Sequence, residues 1–174
     1  RMNLGVVTVN LPRIALESEG DMNKFWEIFN ERMNIAEDAL VYRVERTKEA
    51  TPANAPILYQ YGAFGHRLGK EESVDQLFKN RRATVSLGYI GLYEVATVFF
   101  GNSWEHNPEA KEFTLDIIRD MKRRVEEWSD QYGYHFSIYS TPSESLTDRF
   151  CRLDTDKFGS IPDITDKEYY TNSF

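Results

Sequence analysis

The spacing of apolar residues changes along the chain between two periods, and each period predicts a different element. Short runs rich in β-branched and aromatic residues predict β-strands at residues 4–9, 56–61, 82–91 and 136–139. Apolar residues three and four positions apart predict helices at about residues 21–47, 73–78, 92–100, 107–132 and 143–153. Strands and helices alternate, with connections long enough for parallel pairing. The pattern therefore predicts an α/β fold, either an open sheet or part of a barrel.

Details of the pattern predict how these elements begin and end. Residues 4–9 are mostly apolar and rich in valine, which is typical of a strand covered on both faces. Residues 11–13 are predicted to close that strand. Asp21, Ser73 and Asn107 each precede a helical pattern and are the predicted N-caps.

The stretch from residue 136 to 154 is typical of a strand, a tight turn and a helix. The turn Ser140-Thr141-Pro142-Ser143 ends the strand, and Thr141 or Ser143 can cap the helix, with Glu144 in its first turn. Free N–H groups at a helix N-terminus, joined by three hydroxyls, can seat phosphate or another anion. The local pattern alone favours an ordinary capping turn with nothing bound. In α/β folds, however, such turns at strand ends carry the sites.

Composition narrows the possible partners and chemistry. At 174 residues the chain can bury one core, so residues 1–174 are expected to form a single domain without a linker. A net charge of −7 argues against nucleic acid or an anionic membrane as partner. One cysteine and three histidines give no internal disulfide and no metal-ligand spacing, so we expect no metal site. Without a signal peptide or a membrane-spanning apolar run, the protein is expected to be cytoplasmic.

Both ends of the chain lie in sequence that is typical of ordered structure. Residues 1–3 lead directly into a predicted strand, and the last residue is the aromatic Phe174. Because the ends of complete domains are usually loose, we expect a fragment of a longer protein.

Seven short stretches carry a family resemblance when they are taken together. The most specific are Asn10-Leu11-Pro12-Arg13 and Tyr139-Ser140-Thr141-Pro142. The full stretches lie at residues 3–7, 10–16, 55–59, 86–92, 139–144, 148–154 and 170–174. In this order they resemble the central catalytic region of anaerobic (class III) ribonucleoside-triphosphate reductases, which are glycyl-radical enzymes.

The resemblance implies a fold and an activity. The fold would be about half of a ten-stranded α/β barrel, with parallel strands and crossover helices. The activity would be conversion of ribonucleoside triphosphates to deoxyribonucleotides, through abstraction of the 3′ hydrogen by a cysteine thiyl radical and loss of the 2′ hydroxyl as water. In the family the thiyl cysteine would lie upstream of this stretch and the radical glycine downstream. The chain alone is therefore predicted to be inactive.

The resemblance also implies cofactors and partners for the whole enzyme, although none is expected to be held by this stretch. The whole enzyme would carry a glycyl radical, installed by an S-adenosylmethionine iron–sulfur activating enzyme, and a distant zinc site. Its reductant would be formate, and it would be a homodimer.

Site residues carry over from the family at matching positions. Asn3 matches an active-site asparagine directed toward the ribose hydroxyls, and its uncharged amide can both donate and accept hydrogen bonds. Ser140, Thr141, Pro142 and Ser143 match the loop expected at the substrate. Glu144 would orient the ribose, although it could equally complement the helix dipole.

Other residues have simpler interpretations. Cys151 lies on the last predicted helix and is expected to be a buried structural cysteine. Arg13, Arg149 and Arg152 could pair with nearby acids or with substrate phosphate, and the sequence leaves this open. The chain departs from the family pattern at His66 and Tyr93, among other positions, which leaves the lining of those loops open.

Two other functions compete with the reductase. The chain could be a stand-alone, non-catalytic α/β module that binds a nucleotide or anion through residues 140–144. It could also be another glycyl-radical enzyme related to formate lyases, but residues 10–13 and 139–142 favour the nucleotide branch.

Overall fold

The computed structural model describes residues 2–172, and these form a mixed α/β structure. The strands are β1 (Met2–Asn10), β2 (Ala83–Ile90) and β3 (His135–Ser140). They form one parallel sheet in the order β1-β2-β3, with β2 in the centre. The helices are α1 (Leu11–Glu17), α2 (Met22–Lys48), α3 (Pro56–Tyr59), α4 (Leu92–Phe100), α5 (Pro108–Tyr132) and α6 (Glu144–Phe158). The predicted α/β class is confirmed.

Short 3-10 turns complete the described secondary structure at Pro52–Asn54, Val74–Leu77 and Trp104–His106. The predicted cap at Ser73 is confirmed, because its side chain accepts the N–H of Asp75 at 3.3 Å. Within residues 2–172, no helix combines the length and the apolar composition needed to cross a bilayer.

The two long helices, α2 and α5, form where an N-cap residue is followed by a stripe of apolar residues at helical spacing. The carboxylate of Asp21 accepts the N–H groups of Asn23 at 2.8 Å and Lys24 at 3.2 Å, so it caps α2 as predicted. Asn107 likewise accepts the N–H of Glu109 at 2.9 Å at the start of α5. Both stripes are buried: Phe25, Phe29, Met33, Ala36, Leu40 and Val44 on α2, and Phe113, Ile117, Met121, Val125 and Trp128 on α5.

The predicted strand at residues 56–61 is wrong, because this segment is the short helix α3. Pro56 occupies its first turn, where a missing N–H costs nothing, and the N–H of Gln60 donates to the Pro56 carbonyl at 2.8 Å. A short apolar run carries too few residues for its period to distinguish helix from strand. The described residues therefore contain three strands rather than four.

Two further expectations about β1 need correction. Its residues are mostly half-buried, with Val9 buried and Asn3 exposed, so β1 is not covered on both faces. It lies at an edge of the sheet formed by the described residues. Residues 11–13 end the strand, but they do so by starting α1, because the Asn10 side chain accepts the N–H of Arg13 at 3.1 Å.

The described residues group into two compact units. The first comprises residues 2–7, 35–87 and 122–138. Its aromatic contacts include Trp128 against Phe136, with ring centroids 6.0 Å apart. The Tyr134 hydroxyl donates to Asp75 at 2.5 Å, and the Lys48 ammonium lies 4.8 Å from the centre of the Tyr134 ring.

The second unit comprises residues 8–34, 88–121 and 139–172. It contains the carboxyl ends of all three strands, and within it α1 packs against α4. Its core includes an aromatic cluster in which the Phe25 ring contacts Phe29, Phe99 and Phe113 at 5.2–6.0 Å between centroids. Because sites in parallel α/β folds lie at the carboxyl ends of strands, this unit contains the candidate site.

Candidate active site at the strand ends

The turn after β3 is tied to the two other strands at their carboxyl ends. The Thr141 N–H donates to the carbonyl of Tyr89 on β2 at 3.2 Å. The hydroxyls of Thr8, on β1, and Thr141 share a hydrogen bond of 2.9 Å, and Thr141 is buried. Thr141 therefore fixes the position of the turn, while Ser140, Pro142 and Ser143 are half-buried.

The N-terminus of α6 has no side-chain cap. Ser143 occupies the N-cap position with an extended backbone, but its hydroxyl lies 3.4 Å from that of Ser145 and accepts no helix N–H. The first bonds within the helix run from the N–H groups of Leu146 and Thr147 to the Ser143 carbonyl. Since the first N–H groups of a helix have no partner inside it, those of Glu144 and Ser145 are available to a bound anion.

Glu144 is exposed and lines a cleft of about 640 Å³ beside this N-terminus. The other lining residues come from α6 and from the segment that ends the described chain: Thr147, Asp148, Glu168, Tyr169 and Asn172. Three of the six are carboxylates, which repel phosphate. Carboxylates accept hydrogen bonds, so the cleft suits a group that carries hydroxyls.

Two fully buried carboxylates hold the segment of residues 167–172, which we call the tail segment. The first is Glu94 on α4, whose Oε1 accepts the N–H of Thr171 at 3.0 Å and its hydroxyl at 2.8 Å. The same oxygen forms an ion pair with Lys167. The tail segment returns a bond to the start of α4, because the Gly91 N–H donates to the Thr171 carbonyl at 2.9 Å.

The second buried carboxylate is Asp154 on α6. It accepts hydrogen bonds from the Asn10 amide at 3.0 Å, from the Arg13 guanidinium at 2.5 Å and from the Tyr170 hydroxyl at 2.7 Å. Burial and the hydrogen bond to Asp154 raise the pKa of Tyr170 far above its ordinary value, so Tyr170 stays a proton donor. Asp154 thereby connects the end of β1 and the start of α1 to the tail segment.

Arg13 pairs with acids, one of the two alternatives that the sequence left open. Besides Asp154, it contacts Glu17 at 2.9 Å, and its guanidinium lies 5.3 Å from the centre of the Phe158 ring. Burial alone would lower the pKa of Arg13, but the hydrogen bonds and charges of Asp154 and Glu17 raise it overall. Its Nε and Nη1 donors are therefore engaged within the protein.

The sequence did not predict that Glu94, Asp154 and Tyr170 are buried and hydrogen-bonded at this site, although Asp154 was among the acids with which Arg13 could pair. A signal was present, since Asp154 follows Thr147 and Cys151 at helical spacing on the buried face of α6, and Glu94 interrupts the apolar run of α4. A charged residue on an apolar face is a sign of a buried, paired group.

Cys151 is completely buried, which confirms the prediction that this cysteine lies in the interior. Its thiol donates to the Lys167 carbonyl at 3.2 Å, and burial raises the pKa of the thiol. Among residues 2–172, no group of three or more His, Cys, Asp or Glu side chains is arranged to hold a metal ion.

Asn3 belongs to the first unit, whereas residues 140–144 belong to the second. It is exposed near the start of β1, and its side-chain oxygen accepts the Gly5 N–H at 3.0 Å. Its role toward a substrate remains a prediction. The last two residues of the 170–174 stretch lie outside the described residues.

Comparison with known proteins decides the family. A family model described as anaerobic ribonucleoside-triphosphate reductase matches residues 1–174. The chain belongs to this reductase family. The family resemblance predicted from the seven stretches is thus confirmed.

Curated relatives support the same assignment to the reductase family. The anaerobic ribonucleoside-triphosphate reductases of Salmonella typhimurium and Enterobacteria phage T4 are 49% and 47% identical to it, over 177 and 178 residues. Both alignments cover 100% of this chain, but only 25% and 28% of the relative. The chain thus spans about a quarter of the length of these reductases.

Solved structures of the family share its fold. The anaerobic ribonucleotide reductase of Thermotoga maritima with citrate in the active site matches with a TM-score of 0.72 and 27% identity. That match covers 95% of this chain and 28% of the reductase chain. The same enzyme with MES in the active site matches with a TM-score of 0.74 and 26% identity, over 98% of this chain and 28% of the other. The predicted barrel-type fold is consistent with both.

Proposed function

We propose that this chain is part of the catalytic barrel of an enzyme that reduces ribonucleoside triphosphates to deoxyribonucleotides. The observation that carries the proposal is the uncapped N-terminus of α6 at the carboxyl ends of three parallel strands. In a chain of this family, that position matches the loop expected at the substrate.

The substrate triphosphate binds at the turn of residues 140–143 in this proposal. The N–H groups of Glu144 and Ser145 and the hydroxyls of Ser140 and Ser143 are the donors, and the dipole of the 15-residue helix α6 adds positive potential. Thr141 and Pro142 hold the turn in place.

The ribose occupies the cleft beside Glu144 in this proposal. Glu144 accepts a hydrogen bond from a ribose hydroxyl and orients the sugar, since the acidic lining of the cleft favours hydroxyls over phosphate. For Asn3, the family resemblance supports a role toward the ribose hydroxyls, and the geometry of this cleft is no part of that support. The glycyl radical would generate the cysteine thiyl radical that abstracts hydrogen in the activated enzyme, and this chain's residues bind and orient the nucleotide.

The radical, its activating enzyme, formate, the distant zinc site and a homodimer are proposed for the whole enzyme. None of these groups is assigned to side chains of residues 2–172. The family membership supports them, and the local geometry supports only the substrate-holding roles.

A pair of substitutions at position 144 tests the proposed triphosphate site at the turn of residues 140–143 and the N-terminus of α6, which we call the triphosphate seat. Glu144→Ala removes the carboxylate and keeps the N–H, whereas Glu144→Pro removes both. Proline fits this first helical position because the preceding Ser143 is extended. The probe is inorganic triphosphate, measured by calorimetry on the protein expressed from its complete reading frame.

We expect Glu144→Pro to bind inorganic triphosphate at least about tenfold more weakly than Glu144→Ala, since one hydrogen bond to a charged group contributes about 1.5–3 kcal/mol. Glu144→Ala itself should bind this probe at least as well as the unmodified protein does, because it removes a carboxylate that repels phosphate. Equal affinity of the alanine and proline variants would show that the α6 N-terminus does not hold the phosphates.

A further inference from the structure

The tail segment, residues 167–172, lies in no helix or strand, yet two of its residues, Tyr170 and Thr171, are held in place. Tyr170 is completely buried in an apolar cluster with Ile90 and Cys151, and its N–H donates to the Thr147 carbonyl at 3.3 Å. Thr171 is exposed and is held by its contacts with α4. The neighbouring residues Tyr169 and Asn172 line the cleft with Glu144.

The contact at α4 departs from the usual capping arrangement. A glutamate at the third position of a helix ordinarily bonds the N-cap N–H. Here Gly91, the N-cap, donates to the Thr171 carbonyl, and Glu94 accepts the Thr171 N–H and hydroxyl instead. Thr171 therefore exchanges hydrogen bonds with both ends of the first turn of α4.

Stability alone is a weak explanation for Glu94. The carboxylate is completely buried, and its second oxygen, Oε2, has no hydrogen-bond partner among the described residues. Removing a carboxylate from water costs several kcal/mol, and an ion pair rarely recovers this free energy fully. Apolar packing would hold a segment at a lower cost in free energy. A buried carboxylate with directed acceptors does, however, define one position and orientation for the group it binds.

Lys167 provides a positive charge that holds the tail segment to Glu94. Its ammonium pairs with Glu94 and lies 5.0 Å from the centre of the Tyr93 ring, which in turn packs edge-on against Trp104 at 5.5 Å. The tail segment is thus held by an ion pair whose ammonium group also contacts an aromatic ring, as well as by hydrogen bonds.

We propose that Glu94 is a positioning residue for the substrate cleft. Through its hydrogen bonds to Thr171, Glu94 fixes the positions of Tyr169 and Asn172. These two residues form part of the cleft wall that contacts the ribose or base of the nucleotide. Asp154 provides the second anchor through Tyr170. This inference rests on the proposed function, because it takes the Glu144 cleft to be the sugar-binding part of the site.

Two variants of Thr171 separate positioning from general stability. Thr171→Val has nearly the same shape but loses the hydroxyl that donates to Glu94. Thr171→Ser keeps the hydroxyl and serves as the matched control. Because Thr171 is exposed, neither change opens a cavity, and circular dichroism with the melting temperature verifies that both variants fold.

The assay measures KM and kcat for a ribonucleoside triphosphate with the activated enzyme made from its complete reading frame, and inorganic triphosphate affinity by calorimetry. We expect Thr171→Val to raise KM about tenfold, equivalent to about 1.4 kcal/mol. Loss of a binding contact alone should leave kcat within about twofold. Inorganic triphosphate affinity should not change, and Thr171→Ser should match the unmodified enzyme.

Two results would overturn the inference. In one, the valine and serine variants have the same KM. In the other, the valine variant loses nucleotide and inorganic triphosphate affinity equally, which would mean that the tail segment only supports the fold. Failure of the triphosphate seat is distinguishable, because it appears with Glu144→Pro and inorganic triphosphate whatever residue occupies position 171.

Discussion

Removing the hydroxyl of Tyr170 is the sharpest test of the buried network around Asp154. Tyr170→Phe keeps the ring in its apolar surroundings and deletes one hydrogen bond of 2.7 Å to a carboxylate that is completely buried. Hydrogen bonds to charged groups contribute about 1.5–3 kcal/mol, and Asp154 retains two other donors. We therefore expect the free energy of unfolding to fall by about 2 kcal/mol, the middle of that range.

The measurement is urea unfolding followed by tryptophan fluorescence, with the melting temperature as a second readout. For a chain of this size, about 2 kcal/mol corresponds to a decrease of about 4–8 °C in the melting temperature. Tyr169→Phe is the matched control, because Tyr169 is 61% exposed and its change should stay within about 0.5 kcal/mol.

The outcome that would refute the reasoning is a Tyr170→Phe variant as stable as Tyr169→Phe. The hydroxyl–carboxylate bond would then contribute nothing, and Asp154 would not be the group that fixes the tail segment. A decrease well above about 3 kcal/mol would instead indicate that losing the bond releases the tail segment as a whole.

Two other predictions use the same unfolding assay. Gly91→Ala should cost about 2–4 kcal/mol, because φ is +83° and a Cβ would lie 2.5 Å from Cδ of Pro12 and closer still to its Cγ. Gly101→Ala has a similar φ of +76° but open space around it, so it should cost only about 1–2 kcal/mol, and equal losses would contradict the Pro12 contact. Burial by itself raises the pKa of Glu17, but hydrogen bonds and charges from basic side chains lower it overall. Glu17 therefore stabilises the fold above its ordinary pKa, and this contribution is lost as the pH falls through the lowered value. Glu17→Gln should destabilise at pH 7 and converge with the unmodified protein once the pH is below the lowered pKa of Glu17, so a pH-independent difference would refute this.

Local elements were predictable wherever the cap, the stripe and the length agreed. Asp21 with the stripe from Phe25 to Val44 predicts α2 because each signal operates within a few residues. Residues 56–61 were wrongly predicted to form a strand. A short apolar run is compatible with both the helical and the strand period, and Pro56 favours a first helical turn as well as a strand boundary. The start of α1 was missed because Asn10 was assigned to the strand alone.

The candidate site was predictable only in part. The hydroxyl-rich turn after β3 follows from local pattern, including the position of Ser143 as N-cap. The sequence did not predict that Ser143 leaves the helix uncapped, nor that Thr141 is buried against Thr8. Those facts depend on which strand lies beside the turn.

The sequence by itself determined the helices with strong stripes, the parallel α/β class, the turn at the end of β3 and, through its combined motifs, the reductase family. Only the tertiary structure decided which charged groups are buried and what they bind. Asp154 meets Asn10 across 144 positions, and Glu94 meets Thr171 across 77. Periodicity and capping act between near neighbours in the chain, whereas desolvation of a carboxylate depends on distant segments packed around it.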